Sequence, residues 1–291
     1  MGDFIDEKVN DYPKLAQISG NFSRYNLSVI MDEASSSIEG NLTVDFYNND
    51  GVNYTRIPFH IYLSGMDYYT RAGHIEIVDV IDLDNQSIAI PFEVYSNQQI
   101  MWVNLTANLE PQKRAEFIIQ FNATIPDGST LPGEVLDRAN SHGSDGTQSR
   151  IYKFASFYPI PCVYDNEDGW NTDPYLTTGD PFYFDMAYYN LFIEAPNGMI
   201  IAATGNLDEK LDNGATTWYH FNPIYPVREV TFSASRYFQV QSKISSGVNV
   251  STYFLPKDDG LWNTYALNYA ENALILFNNT FGAYPYPTLI S

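Results

Sequence analysis

The chain has 291 residues, 44% of them hydrophobic and 15% aromatic, which is enough to bury a large core and too apolar for a disordered segment. Its 35 acidic against 15 basic residues leave a net charge of −20, which repels phosphate backbones and anionic lipid and weighs against nucleic-acid and membrane-surface partners. The lone Cys162 excludes an intramolecular disulfide framework and any cysteine-based zinc knuckle, and beside two prolines it reads as a small buried apolar residue.

Residues 1–19 show no periodicity and read as a tail or edge segment. From Tyr25 the pattern alternates, with Tyr25, Leu27, Val29 and Met31 on one side and Asn26 and Ser28 on the other. A second strand carries Leu42, Val44 and Phe46 into the turn Asn48-Asn49-Asp50-Gly51, and a third runs from Ile57 to Leu63. Further strands are expected over 75–83, 86–94, 100–105 and 115–125. Leu131 to Arg150 is rich in Gly, Ser and Asp and reads as a surface loop.

Phe157 to Gly205 is the most distinctive stretch. Pro159, Pro161, Pro174 and Pro181 fix φ and remove backbone donors, so its first half is irregular. Trp170, Tyr175, Phe182, Tyr183 and Phe184 give it an apolar payload that predicts a packed loop. An alternating strand through Leu191 and Ile193, the turn Pro196-Asn197-Gly198 and a second apolar run to Ala203 come next. Strands are predicted at 217–221 and 228–235, a connector at Lys243 to Gly247, and a strand over 248–254. The period then changes. Trp262, Tyr265, Ala266, Tyr269, Ala270, Ala273, Leu274, Phe277 and Phe281 fall at helical spacing and predict one amphipathic helix of about five turns. Asp258 or Asp259 is its expected cap, and Gly282 with Pro285 and Pro287 its stop.

Nine Asn-x-Ser/Thr sequons occur, at Asn21, Asn26, Asn41, Asn53, Asn85, Asn104, Asn122, Asn249 and Asn278. Positions i and i+2 share a strand face, so a solvated Asn/Thr-rich face creates sequons without selection for them. An exported, glycosylated chain is the other reading. With few lysines and one cysteine, the sequence suits an extracellular or cell-surface protein, whose parent can carry a membrane anchor.

Several of these pieces together resemble the amino-terminal part of the aminopeptidase N family (gluzincins) of zinc metallopeptidases, archaeal or bacterial type. The order Tyr158-Pro159, Gly169-Trp170, Asp173-Pro174-Tyr175, Pro196 and Ala203-Thr204-Gly205 carries the likeness, with the strands Ile38 to Asn48, Ile57 to Leu63 and Met101 to Pro126. The most specific piece is the terminal helix ending in Phe281-Gly282 and Tyr284-Pro285-Tyr286-Pro287, which is similar to the first helix of the family's thermolysin-like domain. The resemblance implies a mostly β fold: a large antiparallel saddle-like β-sandwich over 20–243, then at 244–291 the first strand and helix of an α/β catalytic domain, truncated before its zinc helix. It implies a parent zinc aminopeptidase that acts on peptide substrates through that catalytic domain, against which this region packs, limiting access to the cleft.

A zinc peptidase of this kind needs His-Glu-x-x-His and a further Glu. Here the four histidines, His60, His74, His142 and His220, include no such pair, and His74-Ile75-Glu76 lacks a third ligand. There is no Gly-x-Ser-x-Gly elbow and no phosphate-binding glycine loop. Asp165 to Gly169 invites a calcium reading, but the twelve-residue register places Tyr164 first and Tyr175 last. No catalytic, cofactor-binding or metal-ligating residue is therefore expected in this chain, no cofactor of its own, and zinc only in the parent. The competing class is a non-enzymatic extracellular β module for glycan binding or adhesion, which would expose an aromatic platform at Trp170 and Tyr183.

Overall fold

The computed structural model describes residues 21–69, 73–84, 88–95, 99–128, 139–175 and 182–291. The expected tail at 1–19, Asn85 and most of the first half of the 131–150 loop lie outside them. The largest sheet has seven strands in the order β15 (Asn206–Asp212), β16 (Thr216–Asn222), β13 (Tyr188–Pro196), β1 (Arg24–Asp32), β2 (Ser37–Tyr47), β7 (Arg114–Thr124) and β4 (His74–Asp82). Its strands obey the period-two rule: along β1 every second residue is buried, from Tyr25 to Met31. All its pairings are antiparallel except β1 with β13, where Arg24 faces Tyr188 and Ile30 faces Glu194.

Two four-stranded sheets complete the main body. One runs β10 (Ile160–Pro161), β3 (Tyr54–His60), β6 (Ile100–Leu109), β5 (Phe92–Val94), and the other β14 (Ile200–Ala203), β17 (Phe232–Ser235), β9 (Ile151–Phe154), β8 (Asn140–His142). Leu27, Leu42, Ile119 and Leu191 of the large sheet share one continuous core with Ile57 and Val103 of the first and Phe154 and Phe232 of the second. Phe59 meets Phe117 edge-on at 6.0 Å between ring centroids, joining two of the layers. The fold is mostly β, as the sequence predicts.

Several boundaries differ from expectation. The strand ends at His60, and residues 62–69 form a 3₁₀ turn, because Ile61, Tyr62 and Leu63 are all buried where a half-covered strand would alternate. The run after Pro196-Asn197-Gly198 does not fold back on β13; β14 pairs with β17 in another sheet. The strand predicted at 228–235 begins only at Phe232. Lys243 to Ser245 continue β18 (Gln239–Ser245) and do not form a connector.

The central stretch is a packed loop. β11 (Tyr164–Asp165) and β12 (Gly169–Trp170) close a small hairpin inside it, and Trp170, Tyr175 and Phe182 pack against the main core. A second, smaller core lies beyond it in the chain. β18, β19 (Val248–Phe254) and β20 (Thr288–Ile290) form a three-stranded sheet, with β20 parallel to β19. The helix α1 (Leu267–Phe281) lies on it through Leu267, Ala270 and Leu274, against Val248 and Val250. A π-type turn over 262–266 precedes α1 and adds a residue to the helical repeat, rotating Trp262 and Tyr265 off the stripe that α1 buries. Neither Asp258 nor Asp259 caps a helix through its side chain, whereas Gly282, at φ +106°, ends α1 as predicted.

Candidate functional site

The junction between the main body and the C-terminal piece holds a cavity of about 710 Å³. Its floor is β14 and β17, through Ala202, Ala203 and Phe232, and its far wall is Tyr284, Tyr286 and β20. Along β14 Ile201 and Ala203 are buried and Ala202 is half-buried. Small side chains there leave room. Gly205 turns the chain away at φ +101°, with its Cα so close to Asn222 and Pro223 that a Cβ would lie 2.5 Å from the Pro223 nitrogen.

The far wall is fixed by polar contacts at its ends. The Tyr286 hydroxyl donates to the Pro226 carbonyl at 2.9 Å, and the rings of Tyr225 and Tyr286 meet 6.2 Å apart. Burial raises the phenol pKa of both Tyr284 and Tyr286, so both are neutral at pH 7. Charge at the cavity is mixed. Lys153 and Arg228 line it with Glu229, whose Oε2 accepts hydrogen bonds from the Ser156 backbone N–H and hydroxyl at 3.2 and 3.3 Å. The lining combines apolar walls with a few polar anchors and contains no histidine. Among its described lining residues no hydroxyl is paired with a histidine base.

The histidines are dispersed. His60 is fully buried in β3 and lies flat on Tyr62, and burial pushes its pKa down to about 4. His74 opens β4 within 3.4 Å of the Ser64 hydroxyl, and His142 stands 3.2 Å from the Asn140 side-chain oxygen. His220 is on the outer face of the large sheet, where its Nε2 meets the Asn190 side-chain oxygen at 3.1 Å. Glu76 faces Asn122 across the β4–β7 pair. Among the described residues no group of three or more His, Cys, Asp or Glu side chains is placed to hold a metal. Asp165 is engaged in its own turn, its side chain accepting the Glu167 N–H at 2.7 Å. Cys162 is buried and its thiol pKa is raised by that burial.

The aromatic residues divide unevenly. Trp170 is half-buried, 4.6 Å from the Tyr54 ring and 5.3 Å from the Tyr164 ring, while Tyr183 is exposed. On the outer face of the large sheet Phe192 stacks on His220 at 4.4 Å and near Trp218 at 5.6 Å. These rings spend their faces on one another and leave edges, not a platform, for a ligand. Sequence reasoning missed this ladder, although Phe192, Trp218 and His220 sit at even spacing on two predicted strands.

No protein-family model matches the chain, and no curated protein matches it. Its fold does match solved structures. An M1 zinc metallopeptidase from Deinococcus radiodurans superposes with a TM-score of 0.62 at 14% identity, over 92% of this chain and 55% of that one. A point mutant of that metallopeptidase bound to a Tyr-Ser-Ala substrate gives 0.61 at 13% identity, over 93% and 56%. A two-domain M1 zinc metallopeptidase mutant bound to L-tryptophan gives 0.59 at 14%. The chain thus spans about half the length of the structures it matches, and what it shares with these M1 zinc metallopeptidases is the fold of this mostly β stretch.

Proposed function

We propose that this chain is the amino-terminal domain, with the opening strand and helix of the catalytic domain, of a zinc-dependent aminopeptidase of archaeal or bacterial type. Residues to about 243 form the first domain, and residues 244–291 open the second. In this reading the main body covers the active-site cleft and limits entry to peptide amino termini. Zinc, its ligands and the general base belong to a part of the enzyme outside these residues, and no residue here is catalytic.

One observation carries the reading. α1 buries only Leu274 fully and leaves Tyr269, Leu276, Phe277 and Phe281 exposed, Phe281 to 81%. β20, beside it, has a free edge among the described residues. A self-contained domain has no use for so bare an apolar helix face. The small core under α1 reads as the first layer of a larger domain, as the chain's span of its structural matches also suggests. The glycan-binding alternative needs a bare aromatic platform, and Trp170 is packed where that platform would stand.

The reading extends to an extracellular or cell-surface setting, supported by eight described sequons, none of which has a buried Asn. The test is hydrolysis of an aminoacyl-p-nitroanilide with added zinc. The 291-residue chain is expected to give no turnover, and the same chain continued by its natural downstream sequence is expected to give turnover that a chelator abolishes. Turnover by the 291 residues alone, or none by the extended chain at full zinc occupancy, overturns the proposal.

A further inference from the structure

The eight described sequons divide by what their side chains already do in the fold. In four of them the asparagine or its hydroxyl partner is committed. Asn21 donates from Nδ2 to the Tyr47 hydroxyl at 2.9 Å, and the Ser23 hydroxyl accepts the Tyr47 N–H at 3.0 Å. Asn104 is half-buried, and the Thr106 hydroxyl donates to the Asp82 carboxylate. Asn249 is half-buried in the middle strand of the small sheet, and Ser251, itself buried, meets the Ser242 hydroxyl at 2.8 Å. Asn278 accepts the Tyr284 N–H at 2.8 Å where α1 ends, while the Thr280 hydroxyl donates to the Leu276 carbonyl at 2.8 Å.

The other four turn to water. Asn26, Asn41, Asn53 and Asn122 are all exposed. The Asn26 side-chain oxygen accepts from Asn190 Nδ2 at 2.8 Å, which leaves its own Nδ2 free. Among the described residues no side-chain hydrogen bond engages Asn41, Asn53 or Asn122, or the hydroxyls of Ser28, Thr43, Thr55 and Thr124 that complete the four sequons. Three of the four share the outer face of the large sheet. Asn26 is paired with Thr43 and Asn122 with Glu39, so Asn41, two residues from each on β2, stands diagonally between them. Diagonal neighbours on one sheet face are about 7–8 Å apart. Ile30, 51% exposed, is paired with Glu39 beside this row. None of the four asparagines lines the cavity at the junction.

We propose that Asn26, Asn41, Asn53 and Asn122 carry N-linked glycans and that Asn21, Asn104, Asn249 and Asn278 do not. The inference rests on the extracellular reading above, because the sequon is an acceptor only in exported proteins. The donor is a polyprenyl-phosphate-linked oligosaccharide. Asparagine Nδ2 bonds to C1 of its first sugar, the C1–O bond to phosphate breaks, the lipid phosphate leaves with that electron pair, and Nδ2 gives up one proton. The glycan takes the place of an Nδ2 hydrogen and needs an open path to water in the folded protein, which these four asparagines have. The row across β1, β2 and β7 then covers the outer face and shields Ile30, leaving the junction cavity clear.

The test is glycopeptide mass spectrometry of the protein purified from the cells that make it, with its cell fraction recorded by immunoblotting. Glycan mass is expected at Asn26, Asn41, Asn53 and Asn122 and at none of the other four. Ser28→Ala, Thr43→Ala, Thr55→Ala and Thr124→Ala each remove one sequon without touching its asparagine, and each is expected to lower the intact mass by one glycan. Exported protein that is bare at most of the four, that carries glycan at Asn21, Asn104, Asn249 or Asn278, or that loses no mass in these variants overturns the proposal and leaves the extracellular reading standing. Protein confined to the cell interior overturns both.

Discussion

Phe121 fills the space that a side chain on Gly40 would occupy. The two residues are directly paired across β2 and β7, and the Phe121 ring lies where a Cβ on Gly40 would be built. The glycine therefore serves the ring, which is fully buried in the main core. Gly40→Ala is expected to cost about 2–4 kcal/mol in urea unfolding, as an overpacked core position. The double variant with Phe121→Leu is expected to cost clearly less than the two single changes summed. Additive costs would mean that the ring and the glycine are not coupled.

His60 is the acid-sensitive point of the core. Its ring stacks on Tyr62 at 4.3 Å, and burial holds its pKa at about 4 against about 6.5 in an unfolded chain. The folded state favours the neutral ring, so this contribution to stability is fully present above pH 6.5 and is lost as pH falls towards 4. Linkage gives a loss of about 2 kcal/mol by pH 5 and about 3 kcal/mol by pH 4. Urea unfolding of the native chain and of His60→Phe at pH 7 and pH 5 isolates this group. The variant should lose about 2 kcal/mol less than the native chain over that interval.

The two sides of α1 should respond oppositely to substitution. Leu274 is buried on Val248 and Val250, so Leu274→Ala is expected to cost about 2 kcal/mol, at the lower end for a leucine because the cluster is small. Phe277→Ser and Phe281→Ser remove side chains that touch solvent, and each should change stability by less than about 0.5 kcal/mol. Both should reduce binding of a hydrophobic dye, which tracks exposed apolar surface. Destabilisation by the serine variants would show that this face is already covered.

Gly205 and Gly214 both adopt positive φ, and only one is crowded. A Cβ on Gly205 meets the Asn222 and Pro223 backbone, which cannot swing aside, while a Cβ on Gly214 meets open space. Gly214→Ala is expected to cost about 1 kcal/mol through backbone strain alone. Gly205→Ala should cost at least about 3 kcal/mol and narrow the junction cavity. Thermal melts of the two variants side by side give the comparison.

Where one face of a strand meets the core and the other meets water, the sequence was readable. β1 appears at its predicted position for that reason. Ile61 to Leu63 misled because a fully buried turn and a buried strand end have the same apolar composition. β15 was missed because its residues, Asn206 to Asp212, have no inward face to alternate against. The helical period was right, but apolar residues surround α1 almost completely, so the period could not say that Leu267, Ala270 and Leu274 point inward while Tyr269 and Phe277 do not. The junction cavity was hidden from sequence reasoning, because Tyr286 meets Pro226 across 60 positions.

The parallel pairing of β1 with β13 has a consequence for biosynthesis. Residues 24–30 find their neighbours only at 188–194, so the centre of the large sheet cannot close until more than 150 further residues have left the ribosome. At ordinary synthesis rates that wait is on the order of 10–30 s, during which β1, β2, β7 and β4 can pair with one another while the other edge of β1 stays open. Until β13 arrives, one edge of Arg24 to Asp32 is an open template on which another chain could add a strand.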